Sequence, residues 1–213
     1  MNKIKYPDSY ITWDLETTGL SPVNNKIIEI GAITVKDNEI VDERSWLLNH
    51  NIEIPDVIVD ITKITKEIID SEGQDPVLCM NEFLDMLKTS SFYLAHNGTR
   101  FDIPFLVEQA AHTLNFSKER RERMFKRLHA SSFDTAVLIK AQKLNMQRLW
   151  NETFKEFADR VMEIRAFGVK YNIAICCEEL GIDKSDVQQH RALGDVKLTH
   201  RIYQELKKSL IKI

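Results

Sequence analysis

Residues 9–20 read SYITWDLETTGL. The stretch opens as a β-strand over 9–15, rich in β-branched and aromatic side chains. Strand side chains alternate, so Asp14 and Glu16 project from one face while Trp13 and Leu15 take the other. Two carboxylates on one face repel each other and are costly to desolvate unless one is protonated or a cation sits between them. The same pair is ordinary if the strand end emerges into water. The rest of the chain decides between these readings.

Working outward, 26–36 (KIIEIGAITVK) and 39–48 read as two more strands joined by a turn at Asp37 and Asn38, which makes an antiparallel meander. From Pro55 the pattern becomes helical, with Asp75 as cap and Pro76 as first-turn residue of a helix whose stripe is Val77, Leu78, Phe83, Leu84 and Leu87. The strand SFYLAH follows, then helices over about 102–114 and 118–129, a short strand near 132–135 and a nearly all-helical remainder. Strands first, then strand and helix in alternation, predict an α/β domain with a mixed sheet covered by helices. No linker or repeat divides the 213 residues, so one domain spanning 1–213 is expected.

Apolar residues at 43% with only 7 Gly and 5 Pro exclude collagen-like and disordered classes. Cys79, Cys176 and Cys177 are too few and too badly spaced for a disulfide framework or a structural zinc site, which predicts a reducing compartment. The basic opening lacks the apolar run of a signal peptide, and no 18 consecutive residues are apolar. A soluble, cytoplasmic protein with no membrane partner is expected. The net charge of −3 counts weakly against nucleic acid, yet KERRERMFKR at 118–127 carries +4 locally. That stretch is either a solvated helix face or a patch that tracks a phosphate backbone.

Three further residues tip the balance on the strand carboxylates. Asp195 heads the stripe Leu198, Ile202, Leu206 at helical spacing, so it faces the core, where the helix dipole alone, worth about 0.3–1 kcal/mol, does not justify a charge. Asp102 in HNGTRFDIPFL stands at a strand-to-helix junction, either as an N-cap or as a ligand. Asp14, Glu16, Asp102 and Asp195 thus occupy strand ends or helix starts, where separate elements of an α/β fold meet, and such oxygen ligands favour Mg²⁺ or Mn²⁺ over zinc. His190 precedes Asp195 by five residues, a spacing that would turn them about 140° apart on one helix, so it is placed on the loop leading in, able to take a proton from water.

WDLETTGL, HNGTRFD and HRALGD together resemble the three motifs of the DEDD superfamily of 3′-to-5′ exonucleases, in the DEDDh branch that the H-x4-D spacing marks. The resemblance implies an RNase H-like fold, a mixed five-stranded sheet flanked by helices. It implies two divalent cations per active site: Asp14, Glu16 and Asp195 on the first, Asp14 bridging to the second, Asp102 supporting the second, and His190 as general base. It also implies that Thr17 and Thr18 meet the terminal 3′-hydroxyl, that Leu20 wedges between the last two bases and that Phe101 stacks on the end nucleotide; ordinary core packing is the alternative for Leu20 and Phe101. The implied partner is a 3′ end of single-stranded DNA or RNA. Asp134 in SFDT reads as a helix cap.

The chain departs from compact members of that family between Asp134 and His190, with a helical insertion at about 142–168. Trp150, Phe154, Phe157, Val161 and Ile164 recur at helical spacing. The stripe either packs on the core or offers a surface to a polymerase or to a second copy of the chain.

Overall fold

The computed structural model describes residues 6–210; the basic opening at 1–5 and the last three residues of the expected domain lie outside the described residues. Three strands, β1 (Tyr10–Thr17), β2 (Ile27–Lys36) and β3 (Glu39–Leu47), form the antiparallel meander. Two short helices, α1 (Asp56–Thr62) and α2 (Lys66–Glu72), lead to α3 (Pro76–Lys88), whose N-cap Asp75 accepts from the amides of Val77 and Leu78. Then come β4 (Tyr93–Ala95), α4 (Asp102–Thr113), α5 (Lys118–Ser131), β5 (Ser132–Asp134), α6 (Thr135–Lys143), α7 (Phe154–Glu163), α8 (Ile173–Leu180) and α9 (Ala192–Leu210). The sheet order is β3-β2-β1-β4-β5, with β4 parallel to both β1 and β5. The expected mixed five-stranded sheet is present.

Alternation along β1 splits the core. Ile11, Trp13 and Leu15 pack with Phe83, Leu87, Phe105 and Leu106 from α3 and α4, while Tyr10 joins Ile33, Val196, Ile202 and Tyr203 under α9. Asp14 and Glu16 share the α9 side. β3 is mostly exposed and polar, which suits an edge strand. β1 runs two residues beyond the expected 9–15, so both carboxylates lie within the paired strand.

The long N-terminal approach of α9 depends on Gly31. It lies opposite Asp14 in the β1–β2 register, and a Cβ on it would stand 2.4 Å from backbone atoms of Ala192 and Leu193. Only glycine lets the helix start settle that close to the sheet.

In the 142–168 segment the aromatic stripe forms a shorter helix than its spacing predicts. α7 starts at Phe154 behind a capping box of Thr153 and Glu156, leaving Trp150 before it, 78% exposed, and Ile164 at its end. Phe157, Ala158, Val161 and Met162 bury against Val137 and Ala141 of α6. Core packing therefore absorbs the middle of the stripe and none of Trp150.

Gly31→Ala is expected to push α9 off the sheet and cost about 1–3 kcal/mol, the usual range for overpacking. Urea unfolding measures this, and an unchanged midpoint would show that the close approach is not required.

Candidate active site

β1 delivers Asp14 and Glu16 on one face, and the first turn of α9 carries Asp195 over that face. One ligand oxygen from each lies within 4.8 Å of the others. Every cause acting on Asp14 raises its pKa: burial first, then Asp102, Glu16, Asp195 and Glu29. Burial, then Asp195, Glu29 and Asp102, push Glu16 up to about 8, with Arg191 opposing. Asp195 is raised by burial and held down partly by His190. Carboxylates this close cannot all be ionised without a cation among them.

Of the two readings open for Asp102, cap and ligand, the structure removes the first. This residue does not cap α4; Phe101 occupies the cap position and no side chain caps that end. Instead Asp102 is 3% exposed, its Oδ1 has no hydrogen-bond partner, and burial with Asp134 pushes its carboxyl up to about 7 against the pull of the Asp102 and Leu15 backbone. A buried carboxylate oxygen left unpaired is costly. Asp102 stands outside the group whose ligand oxygens converge within 4.8 Å, although its charge acts on Asp14 and Glu16; the hard oxygen donors Asp14, Glu16 and Asp195 are the set that fits Mg²⁺ or Mn²⁺.

The loop before Asp102 is tied down by Asp134, which caps α6 as expected, accepting from Ala136 N at 3.0 Å. Its two oxygens also accept from Asn97 N at 2.8 Å, Thr99 N at 3.1 Å and Thr99 Oγ1 at 2.8 Å. His96 bridges outward: Nε2 donates to the Tyr171 carbonyl at 2.7 Å, and Nδ1 lies 2.8 Å from Thr135 Oγ1. Since a carbonyl can only accept, the network places the proton on Nε2, and burial lowers the His96 pKa in keeping with a neutral ring. A groove of about 760 Å³ runs past His96, Tyr171, Asn172, His190 and Asp195.

His190 sits on the loop before α9, exposed and in the left-handed region at φ 58°. The loop is anchored by a residue that the sequence reading missed. Glu29 of β2, 1% exposed, accepts from Arg191 through Nε at 3.0 Å and Nη2 at 2.9 Å, from Ala192 N at 3.0 Å and from Ser45 Oγ at 2.9 Å. It lies opposite Glu16 in the strand pair, and Arg191 compensates that like-charge contact. A lone acid inside the apolar run KIIEIGA, with an arginine beside His190, was the available signal.

The four expected substrate residues separate by environment. Thr17 Oγ1 donates to Gly19 O at 2.7 Å, and Thr18 Oγ1 accepts from Lys26 N at 2.9 Å. Leu20 is 84% exposed, so core packing does not explain it. Phe101 is half-buried on the core with its ring 5.1 Å from that of Phe105.

Two measurements bear on this geometry. Arg191→Ala would leave Glu29 as an unpaired buried charge and is expected to lower the unfolding free energy by about 3 kcal/mol; a loss under about 1 kcal/mol in urea would show that the pair does not anchor the loop. The second concerns pH. With Glu16 at about 8 and Asp102 at about 7, against about 4 in an unfolded chain, the metal-free folded state holds more protons across about pH 4–8. Its stability therefore falls as pH rises through that window, while a cation needs the ionised forms. In EDTA the melting temperature should be lower at pH 8 than at pH 5, and the gain on adding Mn²⁺ larger at pH 8 than at pH 6. Equal gains at both would remove these carboxylates as ligands.

The RNase T exonuclease family model matches residues 11–131. DNA polymerase III PolC-type of Clostridium perfringens is 39% identical over 102 residues, 47% of this chain and 7% of that protein. The PolC-type polymerase of Thermotoga petrophila is 28% identical over 205 residues, 96% of this chain and 12% of that protein, so most of each relative lies outside the resemblance. Among solved structures, a zinc-bound exonuclease I–ssDNA complex from E. coli superposes with a TM-score of 0.72 at 16% identity, over 97% of this chain and 42% of that one, which establishes the RNase H-like fold. Among the described residues no helix is long and apolar enough to cross a membrane. The chain belongs to the RNase T exonuclease family, in its DEDDh branch.

Proposed function

We propose that this chain is a metal-dependent 3′-to-5′ exonuclease that acts on 3′ ends of single-stranded DNA or RNA and releases nucleoside 5′-monophosphates. The observation that carries the reading is the convergence of Asp14, Glu16 and Asp195 beside a groove that His190 lines. Asp14, Glu16 and Asp195 would hold one cation, and Asp14 and Asp102 a second. Bound there, the cations would supply charge stabilisation for an in-line displacement at phosphorus.

The remaining work falls to side chains. His190, exposed at the groove, takes a proton from the attacking water as its oxygen bonds to phosphorus, and the 3′-oxygen of the shortened chain departs as its bond to phosphorus breaks and takes a proton from solvent. Thr17 spends its proton on Gly19, so it meets a terminal 3′-hydroxyl as an acceptor; Thr18 keeps its proton and meets it as a donor. Leu20, held out in solvent, suits insertion between the last two bases, and the half-buried ring of Phe101 suits stacking at the end. A second reading, a proofreading part acting with a polymerase, is supported by the likeness to PolC-type polymerases. A pull-down with a polymerase subunit that fails at micromolar concentration would count against it.

Release of 5′-mononucleotides from labelled single-stranded DNA and RNA, with Mn²⁺ or Mg²⁺ and with EDTA, tests the activity. Asp14→Ala is expected to abolish it. His190→Ala should lose about 10²–10⁴ in rate yet keep its Mn²⁺-induced thermal shift, because a base and not a ligand has been removed. Activity that survives EDTA, or a His190→Ala protein with normal turnover, would overturn the corresponding assignment.

A further inference from the structure

On the outside of the α3 and α5 layer lies a second groove, of about 590 Å³. It shares no lining residue with the groove beside His190. Tyr93, which lines it, starts β4 next to Ile11, toward the opposite end of β1 from Glu16. Its floor is aliphatic: Leu84, Leu87, Met124 and Leu128, all packed in or against the core cluster behind them. Its rim is cationic: Arg120, Arg123, Arg127 and Lys88, and no lining residue is acidic. Lys88 is paired with Asp85 and Arg123 lies within electrostatic reach of Glu119 on its own helix, while Arg120 and Arg127 have no ion pair among the described residues.

The rim calls for an anionic partner, and the floor decides which kind. A single-stranded nucleic acid binds through open aromatic faces on which bases stack. Neither ring here offers one. The Arg120 guanidinium carbon lies 3.6 Å over the centroid of the Phe116 ring, and Tyr93 is 1% exposed, its hydroxyl donating to Leu87 O at 2.9 Å and accepting from Arg127 Nη2 at 3.2 Å. What remains is an aliphatic pocket sized for one or two apolar side chains, with arginine forks around it that match carboxylates.

We propose that this groove docks an acidic peptide segment of a partner protein, in which a leucine or phenylalanine side chain fills the floor and neighbouring aspartates or glutamates pair with Arg120, Arg123 and Arg127. The site acts independently of the nuclease reading. It accounts for the basic stretch at 118–127 as a peptide-reading surface in place of a backbone-tracking one.

Fluorescence anisotropy of the full chain tests it, with a labelled hexapeptide of four aspartates followed by leucine and phenylalanine. Two control peptides replace the aspartates by asparagine or the apolar pair by alanine. Each control is expected to bind at least tenfold more weakly than the probe, as is the probe to Arg120→Glu/Arg123→Glu, whose melting temperature should match the parent. Neutral Arg123→Gln, with an intermediate loss, serves if the double reversal does not fold. Equal binding of all three peptides, or none at millimolar concentration, would overturn the proposal. So would displacement of the probe by oligothymidylate at concentrations where it occupies the groove, which would assign the surface to nucleic acid.

Discussion

The repulsion among half-buried carboxylates at one end of β1 is the constraint to which the surrounding structure answers. A fold gains nothing in stability from placing Asp14 and Glu16 under a helix that carries Asp195, since burial and proximity both penalise their charge. Such an arrangement persists where a function uses it, and raised carboxyl groups gathered at the mouth of a groove are one physical signature of a working site. The orphaned Oδ1 of Asp102 sharpens the point. Both oxygens of Asp134, by contrast, have found donors.

Holding α9 against this repulsion requires compensation elsewhere. Gly31 removes the steric barrier to the helix start, and Glu29 supplies an electrostatic latch through Arg191 and the Ala192 amide. Both act from β2, at neighbouring register positions opposite Asp14 and Glu16. The latch is itself a carboxylate beside carboxylates, and it works because the Arg191 guanidinium attracts both Glu29 and Glu16. Fixing Arg191 on one side and Asp195 on the other leaves His190 little freedom except in its side chain, which suits a residue that must present an imidazole to the groove.

Much of this was legible in the chain, for reasons that differ by residue. Alternation along a strand and the 3.6-residue period fixed which faces Asp14, Glu16 and Asp195 share, because those periods follow from backbone geometry alone. The five-residue gap to Asp195 placed His190 off the helix, where it is found. Asp102 was ambiguous because an N-cap and a buried ligand look alike at a strand-to-helix junction; only its environment separates them. Glu29 was missed because its partner is 162 positions away, and no local pattern signals a long-range ion pair. Trp150 was read into a helix because periodicity does not show where a capping box will start one, and Thr153 with Glu156 does so three residues later.

Charge along the chain follows the same division between local and long-range information. A net of −3 averages an acidic cluster that is half-buried with a basic helix that is exposed, and the two have different physical consequences. Half-buried carboxylates answer to desolvation and to each other over a few ångströms, a repulsion that a cation among them would relieve. Exposed arginines are screened within about 8–10 Å at ordinary salt, so by themselves they specify little. They acquire specificity only from what lies between them. On α5 that is an aliphatic floor whose two aromatic rings are already covered, and this shape, not the count of charges, selects a peptide over a nucleic acid.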